Sequence, residues 1–145
     1  MALKTERERF EAILADWAAK RGLPPEAVRF DEDGEVSLEL GEAIGTLVYR
    51  EATDTVILWF ESGACERASS PRILLMTNDR FAWSRGFTLA IDPATDRLVV
   101  HDRRPAERFT SAEALDAWLT AGGELSSDVR LAASFGVEAL EEGGV

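Results

Sequence analysis

Thr55-Val56-Ile57-Leu58-Trp59-Phe60-Glu61 is the stretch on which the fold turns. Side chains of a strand point alternately to two faces, and here neither face is polar. A strand apolar on both faces lies centrally in a sheet, covered on both sides. Its flanks extend the sheet. Ala52-Thr53-Asp54 turns the chain back from a preceding strand, Thr46–Arg50. Gly41 to Gly45 reads as a turn, and before it Val36, Leu38 and Leu40 alternate with Ser37 and Glu39 as a half-buried strand. Asp33-Gly34 is a hairpin-type turn signal after an extended stretch, Val28–Asp31.

Downstream, Ser62 to Ser69 reads as a loop, and Ser70-Pro71-Arg72-Ile73-Leu74-Leu75-Met76-Thr77-Asn78 as a two-turn helix. Ser70 caps it, Pro71 suits the first helical position and Asn78 stops it. At about 100° per residue, Ile73, Leu74, Leu75 and Met76 cover most of the circumference. A helix apolar nearly all round must be covered on two sides, and in a chain this small a second copy is one cover. Ser84–Asp92 then alternates. Phe87, Leu89 and Ile91 point one way; Gly86, Thr88 and Ala90, all small, point the other and permit close packing. Asp92-Pro93-Ala94-Thr95-Asp96 turns the chain into Leu98-Val99-Val100.

Both ends read as helical. Thr5 and Glu8 form a capping box ahead of Phe10, Ile13, Leu14, Trp17 and Ala18, one helical face, and Gly22 with Pro24-Pro25 ends it. Thr110 and Glu113 form a second box before Ala114, Leu115, Trp118 and Leu119; Gly122-Gly123 interrupts, and a further helical piece runs from about Ser127 to Phe135. The expected fold is α+β: an antiparallel twisted sheet of about five strands with three helices, in the order α-β-β-β-α-β-β-α. Residues 1–136 form one domain, and 137–145 a flexible acidic tail.

The chain has 145 residues and a net charge of −11, unevenly placed. Asp31 to Ser70 carries ten acids against Arg50 and Arg67, and Ser111 onward seven against Arg130. Such a surface repels phosphate backbones and anionic membranes, so neither nucleic acid nor membrane is expected as partner, and a basic or amphipathic polypeptide fits better. No apolar run reaches the length of a membrane span, no signal peptide is expected, and a single Cys65 suits a reducing cytoplasm.

Chemistry is sparse. One His and one Cys give no zinc set. Asp31-Glu32-Asp33-Gly34-Glu35 has Val36 where a calcium loop needs its glycine. His101 beside Asp102 lacks an exposed nucleophile, and Glu66 beside Cys65 raises the thiol rather than activating it. No phosphate-cradling loop is present. No catalytic residue, metal site or cofactor is therefore expected, and the chain is not read as an enzyme.

The pattern resembles the class I type III secretion chaperones of Gram-negative bacteria. The resemblance runs from Phe10 to Phe135. It rests on the first helix before Gly22-Leu23, Phe30-Asp31-Glu32-Asp33-Gly34, Leu47-Val48-Tyr49, Val56–Phe60, Ile73–Asn78, Gly86–Asp92 and Leu98-Val99-Val100. It implies a cytoplasmic homodimer that binds the N-terminal segment of a secreted effector in extended form and keeps it soluble for secretion. The implied dimer interface is Ile73, Leu74, Leu75, Met76, Phe87 and Leu89. The implied groove is Phe10, Leu14, Trp17, Val36, Leu38, Leu47 and Trp59, with a strand sometimes added at a sheet edge. The alternative is a protein-binding or regulatory module of the same fold outside secretion.

Overall fold

The computed structural model describes residues 4–64 and 85–135. Its strands are β1 (Glu35–Leu40), β2 (Ala43–Arg50), β3 (Thr55–Ala64), β4 (Thr88–Asp92) and β5 (Arg97–Pro105), and its helices α1 (Glu6–Lys20) and α2 (Ala112–Phe135). All neighbouring strands are antiparallel, in the order β1-β2-β3-β5-β4. The apolar stretch Val56–Phe60 is therefore central, as its two-sided apolarity requires. The expected middle helix, Ser70–Asn78, and the tail lie outside the described residues.

One face of the sheet carries the core. Val56, Leu58 and Phe60 of β3 meet Leu47 and Tyr49 of β2, Leu98 and Val100 of β5, and Leu89 of β4. α2 packs across β3, β2 and β5, while α1 lies against α2. The Phe10 ring of α1 stands 5.8 Å from that of Tyr49 and 5.8 Å from that of Phe109. On the second face Ile57 and Trp59 are only half-buried, so the described residues cover β3 fully on one side rather than two.

Local chemistry explains where sequence periodicity and structure part. Val28–Asp31 is not a strand: Pro25–Val28 forms a 3-10 turn. The Asp31 carboxylate then accepts from the amides of Asp33 (2.8 Å) and Glu35 (3.0 Å), fixing the turn at Gly34. The β1–β2 turn is only Gly41-Glu42, with Gly41 at φ +66° and Leu40 paired to Ala43. Gly45 belongs to β2, not to the turn. β3 continues past Glu61 to Ala64 through an irregularity in register, where a loop is expected from sequence. β4 starts only at Thr88, after Arg85 (φ 51°) and Gly86 (φ 88°). The cap of α2 is Ser111, whose Oγ accepts from the Ala114 amide at 3.1 Å, rather than Thr110.

The largest correction concerns Gly122-Gly123. α2 runs through both glycines without a break. A Cβ on Gly122 would stand 2.6 Å from Cε2 of Phe60 and 2.8 Å from Cζ of Phe87; one on Gly123 would stand 3.2 Å from Leu40. Gly45 faces the same ring from the sheet, where a Cβ would stand 2.7 Å from Cε1 of Phe60. The glycines are sites of close approach, and packing overrides their low helix propensity.

Candidate protein-binding groove

β1 is an edge strand, and its hydrogen-bonding phase decides what it offers. The Tyr49 amide donates to the Gly34 carbonyl at 2.8 Å, and Val36, Leu38 and Leu40 pair with Leu47, Gly45 and Ala43. In an antiparallel ladder the intervening residues then turn their N–H and C=O outward. Asp31 occupies both outward groups of Glu35: its amide donates to the Glu35 carbonyl (2.9 Å) and its carboxylate takes the Glu35 N–H. The outward groups of Ser37 and Glu39 have no partner among the described residues. Such an edge is a template for another strand.

Beside this edge lies a groove of about 400 Å³, lined by Arg21, Leu23, Ala27, Ser37, Leu38 and Glu39. The end of α1 builds its far wall. The Gly22 amide donates to Ala19 O (3.1 Å) and the Leu23 amide to Ala18 O (2.9 Å), with Gly22 at φ +73°. This is a Schellman cap, and it throws Leu23 clear of the helix. Leu23 remains 37% exposed, one of three large apolar residues so exposed among those described. Arg21 is pinned at the rim. Its guanidinium lies 4.9 Å over the Trp17 ring and its Nη2 donates to Asp116 Oδ1 at 2.7 Å. Arg21, and secondarily the indole N–H of Trp17, hold the Asp116 carboxyl below its ordinary range.

The residues picked from sequence for a groove separate into three sets. Phe10, Leu14, Trp17, Leu38 and Leu47 are buried between helices and sheet, where only Leu38 also borders the groove. Val36 sits half-buried at the margin of that face. Trp59 is on the second face, so the structure does not bring it together with the others. Leu23, Ala27 and Arg21 are the groove residues that periodicity passed over. An apolar residue directly after a helix-ending glycine was the available signal, because the cap fixes its direction. Of the residues picked for the dimer interface, Ile73, Leu74, Leu75 and Met76 lie outside the described residues. Phe87 and Leu89 point into the core, with Phe87 stacked at 6.2 Å on Trp118. The small side of β4 is the accessible one: Thr88 is exposed and Ala90 half-buried.

The second face has its own shallow depression of about 290 Å³, lined by Trp59, Ala90, Ile91, Asp92, Val99 and His101. His101 is registered opposite Trp59 and Thr88. Asp102 points to the opposite face, accepting from Trp118 Nε1 (2.9 Å) and Arg104 Nε (3.0 Å), so the adjacent His and Asp do not form a pair. Among the described residues no three His, Cys, Asp or Glu side chains are grouped to hold a metal ion. Nor is any described helix long and apolar enough to cross a membrane.

Known proteins bear on this geometry in three ways. No curated protein matches the chain in sequence. Solved structures match it in fold. The complex titled "HopA1-SchA Chaperone-Effector Complex" aligns with a TM-score of 0.74 and 16% identity, over 90% of this chain and 99% of the other. The Yersinia pestis type III secretion chaperone SycH, in complex with a fragment of YscM2, aligns with 0.64 and 17%, over 81% and 96%. YbjN, a putative transcription regulator from E. coli, aligns with 0.54 and 13%, over 82% and 87%. At these identities the likeness establishes the fold alone. The sequence profile of the Tir chaperone protein (CesT) family, however, matches residues 12–128, which takes in α1 from residue 12 onward, all five strands and most of α2: the chain belongs to the Tir chaperone protein (CesT) family.

Proposed function

We propose that this chain is a cytoplasmic type III secretion chaperone that holds the N-terminal segment of a secreted effector in extended form. The observation that carries the reading is the unpaired edge of β1 beside the Leu23–Ala27–Leu38 groove, in a member of a chaperone family. An extended segment can donate to and accept from the free groups of Ser37 and Glu39 while laying alternate apolar side chains into the groove. Burial at about 25 cal/mol per Å² offsets the entropy of ordering the segment. The net charge of −11 keeps the complex soluble. The chain acts as a homodimer through Ile73, Leu74, Leu75 and Met76 and the small-residue side of β4. It uses no cofactor and catalyses no reaction.

Light scattering of the full chain, alone and mixed with the N-terminal segment of the secreted protein encoded beside it, tests this. The expected result is a dimer that takes up the segment and keeps it soluble. Leu23→Asp with Ala27→Asp abolishes uptake without lowering Tm, since both side chains are exposed. A monomer at every concentration rejects the dimer, and absence of any complex rejects the chaperone reading. The fold match to a putative transcription regulator supports the second reading, a binding or regulatory module outside secretion. That reading gains if the protein binds a partner that is never exported.

A further inference from the structure

The β1 edge has two unlike sides, and this asymmetry specifies more than an extended partner. Val36, Leu38 and Leu40 lie on the side of the helices, where Leu38 borders the groove; Ser37 and Glu39 line it from the strand's open edge. Glu35, Ser37 and Glu39 face the other way and are all exposed. The cross-strand neighbours of Glu35 and Glu39 are Val48 and Ile44, neither of which can neutralise them, and neither glutamate forms an ion pair among the described residues. Arg50, the one base of β2, pairs with Thr55 of β3, beyond the stretch matched to β1. Arg21 at the groove is already engaged by Asp116 and Trp17. Asp31, Glu32, Asp33 and Glu42 add like charge at the two ends of the strand.

A strand hydrogen-bonded to Ser37 and Glu39 presents one set of side chains to the Leu23–Ala27–Leu38 groove and the alternate set to the glutamate row. Directly opposed unlike charges on neighbouring strands attract, and like charges repel. Glu35 and Glu39 are four residues apart on one face, about 13 Å along the strand. Resting on the reading of this edge as the binding edge, we infer that it selects a two-faced strand: apolar residues toward the groove, alternating with Lys or Arg placed four residues apart over Glu35 and Glu39. An acidic residue in either basic position is excluded, so the edge discriminates among segments of equal hydrophobicity.

The test uses the full chain and three fluorescent peptides of about ten residues, a usual upper length for a strand, with Val alternating with Lys, with Thr or with Glu. Anisotropy at low salt is expected to rank Lys tighter than Thr and Thr tighter than Glu, with the extremes at least about tenfold apart and the gap narrowing as salt is added. Glu35→Lys with Glu39→Lys reverses the ranking. Glu8→Lys with Glu107→Lys makes the same change in net charge near the start of α1, about 20 Å of helix from the groove, and preserves it. Equal binding of the Lys and Glu peptides overturns the selection, while binding of the Thr peptide in that case leaves the edge reading standing. Reversal by the Glu8 and Glu107 variant as well assigns the preference to the overall field and overturns the inference. Failure of all three peptides, with an effector segment still bound, overturns it together with the β1 edge.

Discussion

Val56, Leu58 and Phe60 are fully buried, whereas Ile57 and Trp59, interleaved with them, keep accessible surface. Both sets are large and apolar, so composition does not separate them. What separates them is the partner each face meets. The first face receives α2 at very short range, because Gly122 and Gly45 leave room for the Phe60 ring. The second face has no described element seated on it. A strand apolar on both sides thus marks centrality in the sheet, and the fitted glycines mark the side on which the core closes. The comparison breaks most directly at adjacent residues. Phe60→Ala removes a ring packed on both sides and should cost about 3–5 kcal/mol in chemical denaturation. Trp59→Ala should cost well under half of that, because its surface is only partly withdrawn from water. Equal losses would mean that both faces are closed in solution.

The same covered face changes character at its end. Ser62 continues the buried alternation of β3, and its hydroxyl meets that of Ser126 on α2 at 2.8 Å, with both residues buried. Ser126→Ala leaves the Ser62 hydroxyl without a partner and should cost about 1–3 kcal/mol. The double variant Ser62→Ala with Ser126→Ala should recover most of the loss, since neither hydroxyl then remains buried and unpaired. A double variant no better than the single would show that the hydroxyl pair contributes packing alone.

The two glycines of α2 sharpen the comparison further. Gly122→Ala gains about 1 kcal/mol of helix propensity but drives a methyl into the Phe60 and Phe87 rings. With overpacking costs of about 1–3 kcal/mol, the net expected effect is a loss of about 1 kcal/mol. Gly123→Ala meets the Cβ and the carbonyl oxygen of Leu40 at 3.2 Å, a milder clash that offsets the gain in helix propensity, and should cost less than Gly122→Ala. If the order of the two were inverted, α2 would not lie where the rings place it.

These glycines also show where sequence stops being legible. Periodicity located α1, the central strand and the alternating strands on either side of it, because each signal is local. It also placed Phe87, just before β4, and Leu89 of β4 on one side, and that side is the buried one. It read Gly122-Gly123 and Gly45 as breaks, because the reason for a glycine of close approach lies in a distant side chain. The groove was missed for a similar reason. Phe10, Leu14 and Trp17 form the most conspicuous stripe, and conspicuous stripes go to the core. Leu23 and Ala27 belong to no periodic face. Their exposure follows from a cap at Gly22 and a turn after Pro25, and the open stretch of the β1 edge follows from Asp31 occupying Glu35 but not Ser37. The family was legible as well: the resemblance read from the order of elements agrees with the family match over residues 12–128.

A further small effect lies at the rim of the covered face, where α1 meets α2. The Asp116 carboxylate accepts from Arg21 at 2.7 Å and from Trp17 Nε1 at 2.9 Å, and its pKa lies below the ordinary carboxylate value of about 4. Because the folded value is depressed, the unfolded chain binds the proton more readily as pH falls. The stabilisation is therefore complete above the ordinary value and is lost as pH drops through the lowered one. The pair is partly exposed, which limits its contribution to less than about 1 kcal/mol. Asp116→Asn keeps an acceptor for Trp17 and removes only the charge facing Arg21. Thermal unfolding of the two proteins should differ by a few degrees at neutral pH and converge as the pH falls through the lowered value, with the gap at neutral pH also narrowing in high salt. The absence of any gap at neutral pH would mean that Asp116 acts as a hydrogen-bond acceptor alone. Arg21 would then be held at the groove rim by the Trp17 ring and not by charge.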